Sequence, residues 1–265
     1  MTTDMIEFLG LEVTPDPARW RLPVARSICG GRDAVYGGCA LAAAVEAAER
    51  MTGRPLAWAA CQFLRPAPVG SVVELEVSFP AAGRAVSHGR VTGTVEGQDV
   101  FSTLISVGER SYPDTGVWVA PPKVAAPEDC PERYIRAANK GGFRERIDER
   151  AVTDRPDGIV RSDDGRSSWW VRLPGGIPAA ASALAAVGDM LSTGVSAVLT
   201  PDAQAPSIDN TIRVVRPAAC EWVLAEVEVR AVDRGLAHGT VNLWSPAGAL
   251  LAVTAQTGAV RIRGT

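Results

Sequence analysis

The pattern of apolar and polar positions runs through the chain twice. YGGCALAAAVEAAERMTGR (36–54) is rich in small and helix-forming residues and predicts a helix, with Gly37-Gly38 at its start and Gly53 near its end. Val-rich segments at 55–65, 71–80, 85–96 and 100–109 predict strands, with a period-two alternation in VVELEVSF (72–79). Their breaks fall at RPAPVG, AAGR and EGQD, which carry turn chemistry. The second half predicts the same grammar: a helix over IPAAASALAAVGDMLSTG (177–194), then strands at 206–216, 221–232, 236–245 and 249–262, with SPAG as the last turn. Between the halves lies the proline-rich stretch PDTGVWVAPPKVAAPEDCPE (113–132), which reads as a surface linker.

Residue identities repeat along with the pattern. GRAVSHGRV (83–91) and DRGLAHGTV (233–241) hold the only two histidines, His88 and His238, 150 residues apart. FLRPAP (63–68) parallels VVRPAA (214–219) at a spacing of 151, and ELEV (74–77) parallels EVEV (226–229) at 152. FSTLISVG (101–108) lies on LAVTAQTG (251–258) at 150. A period this long implies a duplicated unit rather than a solenoid. The expected boundaries are 1–112 for the first repeat, 113–140 for the linker and 141–265 for the second repeat. One helix followed by a meander of long strands predicts an α+β unit in which an antiparallel sheet wraps a central helix.

Composition narrows the function classes. The 265 residues are 46% hydrophobic and 22% charged, ordinary for a folded domain, and the net charge of −3 gives no footprint for nucleic acid. The N-terminal MTTDMIEFLGLEV lacks the basic start of a signal peptide, and the longest apolar run, from Ile177, is too short to span a bilayer. Five scattered cysteines with no CxxC indicate neither a disulfide framework nor a zinc site. A cytoplasmic location without stable membrane insertion is the expectation, with no metal and no cofactor. GxSxG, HExxH and P-loop signatures are absent from the sequence.

ALAAVGDM (183–190), SIDNTIRVVRP (207–217), EWVLAEVEV (221–229), GLAHGTVNLW (235–244) and TAQTGAVR (254–261) follow one another in an order that resembles the TesB-like (type II) acyl-CoA thioesterases. The resemblance covers about residues 17 to 263. It implies a double hot-dog fold and hydrolysis of an acyl-CoA to free acid and CoA. It also implies a catalytic set of an Asp from the second helix, a Thr on the next strand and a Gln on the last strand. Matched by position, these fall on Asp189, Ser207 and Gln256, with serine where the family more usually has threonine. Thr211 is the fallback for the hydroxyl, on the reasoning that residues an even number apart share a strand face. An acyl-CoA is the expected substrate partner, and a homodimer of double hot-dog units stays open.

The chemistry of these residues is coherent in its own right. Asp189 follows eleven small or apolar residues, an expensive place for a carboxylate without partners. Ser207 and Gln256 could hold it together with a water, and partial burial would raise its pKa toward the range of a proton acceptor. Gly37 and Gly38 are oxyanion candidates, because glycine lets helix-start N–H groups approach a ligand. The first half offers Glu46 opposite Asp189, Leu56 opposite Ser207 and Ser106 opposite Gln256, so it lacks a second catalytic set. His88 and His238, repeated in both halves, then read as sheet or hairpin residues. Asp233 and His238 have the five-residue spacing of hot-dog enoyl-CoA hydratases, but the Asn-Pro between them is missing. The alternative from another class is a silent acyl-thioester binding protein of the same fold.

Overall fold

The alternating residues of VVELEVSF divide as their pattern demands: Val73, Leu75 and Val77 are buried, while Glu74 and Glu76 face solvent. The computed structural model describes residues 4–31, 33–135 and 139–262. The outermost residues of the two expected units (1–3 and 263–265), and 136–138 of the expected linker, lie outside the described residues. The first half contains α1 (Met5–Leu9), β1 (Glu12–Val13), β2 (Arg19–Pro23), α2 (Gly37–Thr52), β3 (Leu56–Phe63), β4 (Val72–Ala81), β5 (Val86–Val95) and β6 (Gln98–Gly108). The second contains α3 (Phe143–Arg146), β7 (Asp148–Ala151), β8 (Arg166–Arg172), α4 (Ala181–Val187), α5 (Leu191–Val198) and β9 (Ala203–Gln204). It continues with β10 (Ser207–Val214), β11 (Trp222–Asp233), β12 (Leu236–Trp244), β13 (Leu250–Ala259) and β14 (Arg261–Ile262).

Twelve strands form one antiparallel sheet in the order β1-β2-β4-β5-β6-β3-β10-β13-β12-β11-β8-β7. Read outward from its centre, β3 matches β10, β6 matches β13, β5 matches β12 and β4 matches β11. The halves join through β3 and β10, where Ala60 faces Thr211. The sheet wraps α2 and α4, the α+β double hot-dog arrangement. Being enclosed, α2 is apolar almost all round, and Ala40, Ala42, Ala43, Ala44, Ala47 and Ala48 are all buried. Ala181–Val198, apolar enough to cross a membrane by composition, is likewise 83% buried inside this wrap.

Besides the short elements α1, β1, β2, α3, β7 and β9, which the pattern did not predict, the structure departs from the expected elements in three places. The single helix expected over 177–194 is two, α4 and α5, separated by Gly188, Asp189 and Met190. Strand β13 causes the break. Thr254 Oγ1 donates to the Gly188 carbonyl (3.1 Å), and Gln256 Oε1 accepts from the Leu191 N–H (2.9 Å). These two inward side chains satisfy the loose ends of both helices and leave Asp189 between them. Strand β8 was not expected, because RSSWWVR does not alternate. Both its faces are covered: the linker crosses outside it, and Trp170 Nε1 donates to the Ala125 carbonyl (2.9 Å). The strand expected over 249–262 ends at Ala259, and β14 turns away to pair with β9.

Candidate active site

Asp189 is buried at 5% exposure and forms no ion pair among the described residues. Its Oδ1 accepts from Ser207 Oγ (2.8 Å) and, in a short bond, from Gln256 Nε2; its Oδ2 accepts from the Gly38 N–H (2.8 Å). Gln256 Nε2 also reaches Ser207 Oγ at 3.3 Å. The three residues singled out in the sequence therefore converge, from the α4–α5 break, β10 and β13. The fourth partner comes from the other half of the molecule, at the start of α2. Gly37 and Gly38 have to be glycine here. A Cβ on Gly37 would sit 2.7 Å from Asp189 Oδ2, and one on Gly38 would sit 2.4 Å from the Ala186 carbonyl oxygen.

Burial raises the Asp189 pKa from the ordinary aspartate value. The hydrogen bonds from Ser207 and Gln256, the Arg144 charge and the Gly38 N–H pull the other way. Ser207 and Gly37 are only half-buried, so they form the open side of the site. Gly38 N–H is already engaged by the carboxylate. Gly37 N–H, also at the helix start, has no acceptor among the described residues.

The hydroxyl fallback fails on geometry. A β-bulge between Ser207 and Asp209 inverts the alternation, so Asn210 and Ile212 point inward with Ser207, while Thr211 lies on the opposite face. Thr211 Oγ1 donates to the Ala255 carbonyl and accepts from Arg213 Nη1, each at 3.4 Å, and does not reach Asp189. The correspondence of Ser106 with Gln256 is also shifted. His88 pairs with Ser106 and His238 with Thr257, whereas Gly89 pairs with Ile105 and Gly239 with Gln256. The counterpart of Gln256 is therefore Ile105, one residue earlier, because the turn between β12 and β13 is one residue longer than that between β5 and β6. Both hairpins bulge at the matching step, Gly93/Thr94 and Leu243/Trp244. Leu56 does lie opposite Ser207 in the symmetry of the β3–β10 pair. His88 and His238 both face out and approach a hydroxyl of the next strand, Ser106 Oγ at 2.9 Å and Thr257 Oγ1 at 3.4 Å. Asp233, at the end of β11, has its carboxylate on the Arg234 N–H rather than on His238.

Sequence reasoning missed the support around Asp189. The Tyr36 hydroxyl donates to the Asp189 carbonyl in a short bond, and its ring stacks on Phe143 at 4.7 Å. Arg144, buried over the Tyr36 ring, pairs with Glu149 and donates to Thr193 Oγ1 in the first turn of α5 (2.6 Å). Tyr36 stands directly before Gly37-Gly38 and could have been included with them. Nothing local in FRER or DERA distinguishes Arg144 from a surface arginine.

A cavity of about 510 Å³ lies elsewhere, between β7 and the turn at 173–176. Three of its four arginines pair with carboxylates: Arg133 with Glu149, Arg150 with Asp148, and Arg172 with Asp148 and Glu221. The fourth, Arg146, donates to the Phe8 carbonyl and lies over the Phe8 ring. The lining also carries Glu132 and Glu145, so the cavity holds no excess of positive charge.

Comparison with known proteins bears on the family and the fold. Residues 24–108 match the model of the acyl-CoA thioesterase N-terminal domain, and residues 127–260 that of the acyl-CoA thioesterase C-terminal domain. No curated protein matches the chain in sequence. A candidate thioesterase from Novosphingobium aromaticivorans is 30% identical with a TM-score of 0.84, covering 94% of this chain and 98% of its own. A tesB protein from Mycobacterium avium subsp. paratuberculosis (19% identity, TM-score 0.79, 97% and 98% covered) shares the fold. So does the acyl-CoA thioesterase II TesB2 of Mycobacterium marinum (20% identity, TM-score 0.75, 98% of each chain). With both halves matched and the site assembled between them, the chain belongs to the TesB-like acyl-CoA thioesterase family.

Proposed function

We propose that the protein hydrolyses acyl-CoA thioesters, with Asp189 as the group that orients and deprotonates the attacking water. The observation that carries this reading is a buried, unpaired carboxylate held by three neutral donors, beside one N–H that is left open. Ser207 and Gln256 fix Oδ1, and Gly38 fixes one side of Oδ2. The remaining lone pair of Oδ2 is free to accept a proton from water. Burial makes the carboxylate a better base than an exposed aspartate. As water adds to the thioester carbonyl, the new oxyanion takes the Gly37 N–H, at the positive end of α2. The C–S bond then breaks, the proton held on Asp189 passes to the departing thiolate, and the products are a carboxylic acid and free CoA.

The test is thiol release from acyl-CoAs of two to sixteen carbons, with Asp189→Asn run beside the natural protein. Turnover abolished by the substitution, with folding retained, is the expected result. Turnover that Asp189→Asn leaves untouched would overturn the site. Binding of acyl-CoA without turnover would make the protein the silent binder of the same fold.

A further inference from the structure

Four inward side chains lie in register across the centre of the sheet: Thr103 on β6, Cys61 on β3, Asn210 on β10 and Gln256 on β13. All four are buried. Gln256 is spent on Asp189 and on the Leu191 N–H. Asn210, at 0% exposure, has no hydrogen-bond partner at either Nδ2 or Oδ1 among the described residues. The Thr103 hydroxyl has none beyond the weak thiol of Cys61. An amide buried with both its donor and its acceptor unused is costly and rare in a native core.

The molecule contains its own control. The symmetry of the β3–β10 pair maps this row onto Thr254, Ile212, Ala59 and Ile105, which are also in register and buried. There the threonine bonds the Gly188 carbonyl and the other three side chains are apolar. The same sheet position therefore packs without an amide, so the fold does not require Asn210. The polar version of the row is the one that contains Gln256 and lies near Asp189.

We propose that Asn210 is a specificity-determining residue, its amide receiving an oxygen substituent on the acyl chain close to the thioester carbonyl. This rests on the thioesterase reading above and names its substrate class: 3-hydroxyacyl or 3-oxoacyl thioesters rather than plain fatty acyl ones. An amide suits either group, donating from Nδ2 to a keto oxygen or also accepting at Oδ1 from a hydroxyl. Asn210 is one strand from Gln256, about 4.8 Å, which places the contact on the first few carbons beyond the carbonyl. An acyl chain entering past Ser207 and Gly37 and running beneath α2 meets Asn210 before it meets Cys61 and Thr103.

The experiment compares hexanoyl-CoA, 3-hydroxyhexanoyl-CoA and 3-oxohexanoyl-CoA as substrates of the natural protein and of Asn210→Ala, the residue of the mirror row. Their non-hydrolysable thioether analogues are measured for binding by calorimetry in parallel. The natural protein is expected to favour an oxygenated substrate in kcat/KM by about tenfold or more, and Asn210→Ala to erase the ratio. A ratio near one in the natural protein overturns the proposal whether or not the variant folds. So does a ratio that survives Asn210→Ala, or an equal loss on all substrates, which would leave Asn210 as a water-holding group. If no thioester is turned over, the hydrolase reading fails and the analogues decide. Tighter binding of the oxygenated analogue, lost in Asn210→Ala, supports the assignment, and equal or absent binding overturns it.

Discussion

The antiparallel helices α2 and α4 meet at two ends, and each end holds a buried carboxylate. At one, Asp189 Oδ2 accepts from the N–H of Gly38, the second residue of α2. At the other, Glu46 Oε2 accepts from the hydroxyl of Ser182, the second residue of α4 (2.7 Å). Their surroundings differ in kind. Glu46 is closed off by Arg50 (2.9 Å), and the positions around it that match Ser207 and Gln256 carry Leu56 and Ile105. Asp189 has neutral donors and no counter-ion, with half-buried residues beside it. Duplication supplies two equivalent helix contacts. An arginine neutralises the carboxylate at one of them, whereas at the other a Ser, a Gln and a broken helix surround a carboxylate that has no ion pair among the described residues.

The sharpest way to break the comparison is to neutralise each carboxylate in turn. Asp189→Asn is expected to lower kcat by about a hundredfold to ten-thousandfold, and Glu46→Gln by less than about twofold, as read by thiol release. Comparable losses would mean that both ends work. The stability effects carry the same contrast. Because the folded-state pKa of Asp189 is raised, its stability contribution falls as pH rises from the unfolded value through the folded one. Asp189→Asn should therefore raise Tm at neutral pH and lose that advantage in acid. A Tm gain independent of pH would contradict the burial argument.

Gly37 and Ala181 each begin their helix, so Gly37→Ala makes the two ends alike. Its Cβ would press on Asp189 Oδ2 and on Phe63 Cζ, 2.9 Å away. A loss of about ten- to a hundredfold in kcat is expected, at a stability cost of about 1–3 kcal/mol. Activity retained at full rate would place the substrate away from the α2 start.

The duplication, the helix-and-meander grammar and the pair Asp189 and Gln256 were legible because they rest on local pattern and on spacing between halves. What stayed hidden depends on partners distant in sequence. The break at Asp189 is made by Thr254 and Gln256, more than sixty residues away. Thr211 was misplaced because a β-bulge leaves no mark in the alternation, and Ser106 because one extra residue in the second hairpin turn shifts an otherwise constant repeat. Arg144 looks like any charged surface residue until β7 covers it. Asn210, in contrast, stood in view within SIDNT as a lone amide, but only the burial of both its polar atoms gives it meaning.

The pH profile tests how the Asp189 end is tuned. Its carboxylate has to be ionised to accept a proton, so kcat/KM should fall as pH drops through a value above the usual 3.9 or so of an aspartate. Removing a group that favours the ionised form should move this acid limb to higher pH. The hydrogen bond from Ser207 outweighs the more distant Arg144 charge, so Ser207→Ala should move it further than Arg144→Met. A limb that stays fixed in Arg144→Met would reduce that arginine to holding α3 against α5.

The smallest effect belongs to Ser207→Thr, which restores the threonine more usual in the family. Serine delivers the hydroxyl to Asp189 Oδ1 but must freeze a freely turning side chain to do so. Threonine is stiffer at χ1 and better suited to a strand, so part of that ordering is built in before substrate arrives. The ordering of one short rotor is worth roughly 0.5 kcal/mol, so kcat should rise by no more than about two- to threefold, with Tm unchanged or slightly higher. A tenfold loss would instead show that the added methyl takes space the acyl-CoA needs, since Ser207 lies on the open side of the site. The serine would then be part of how this end, unlike the Leu56 end, admits its substrate.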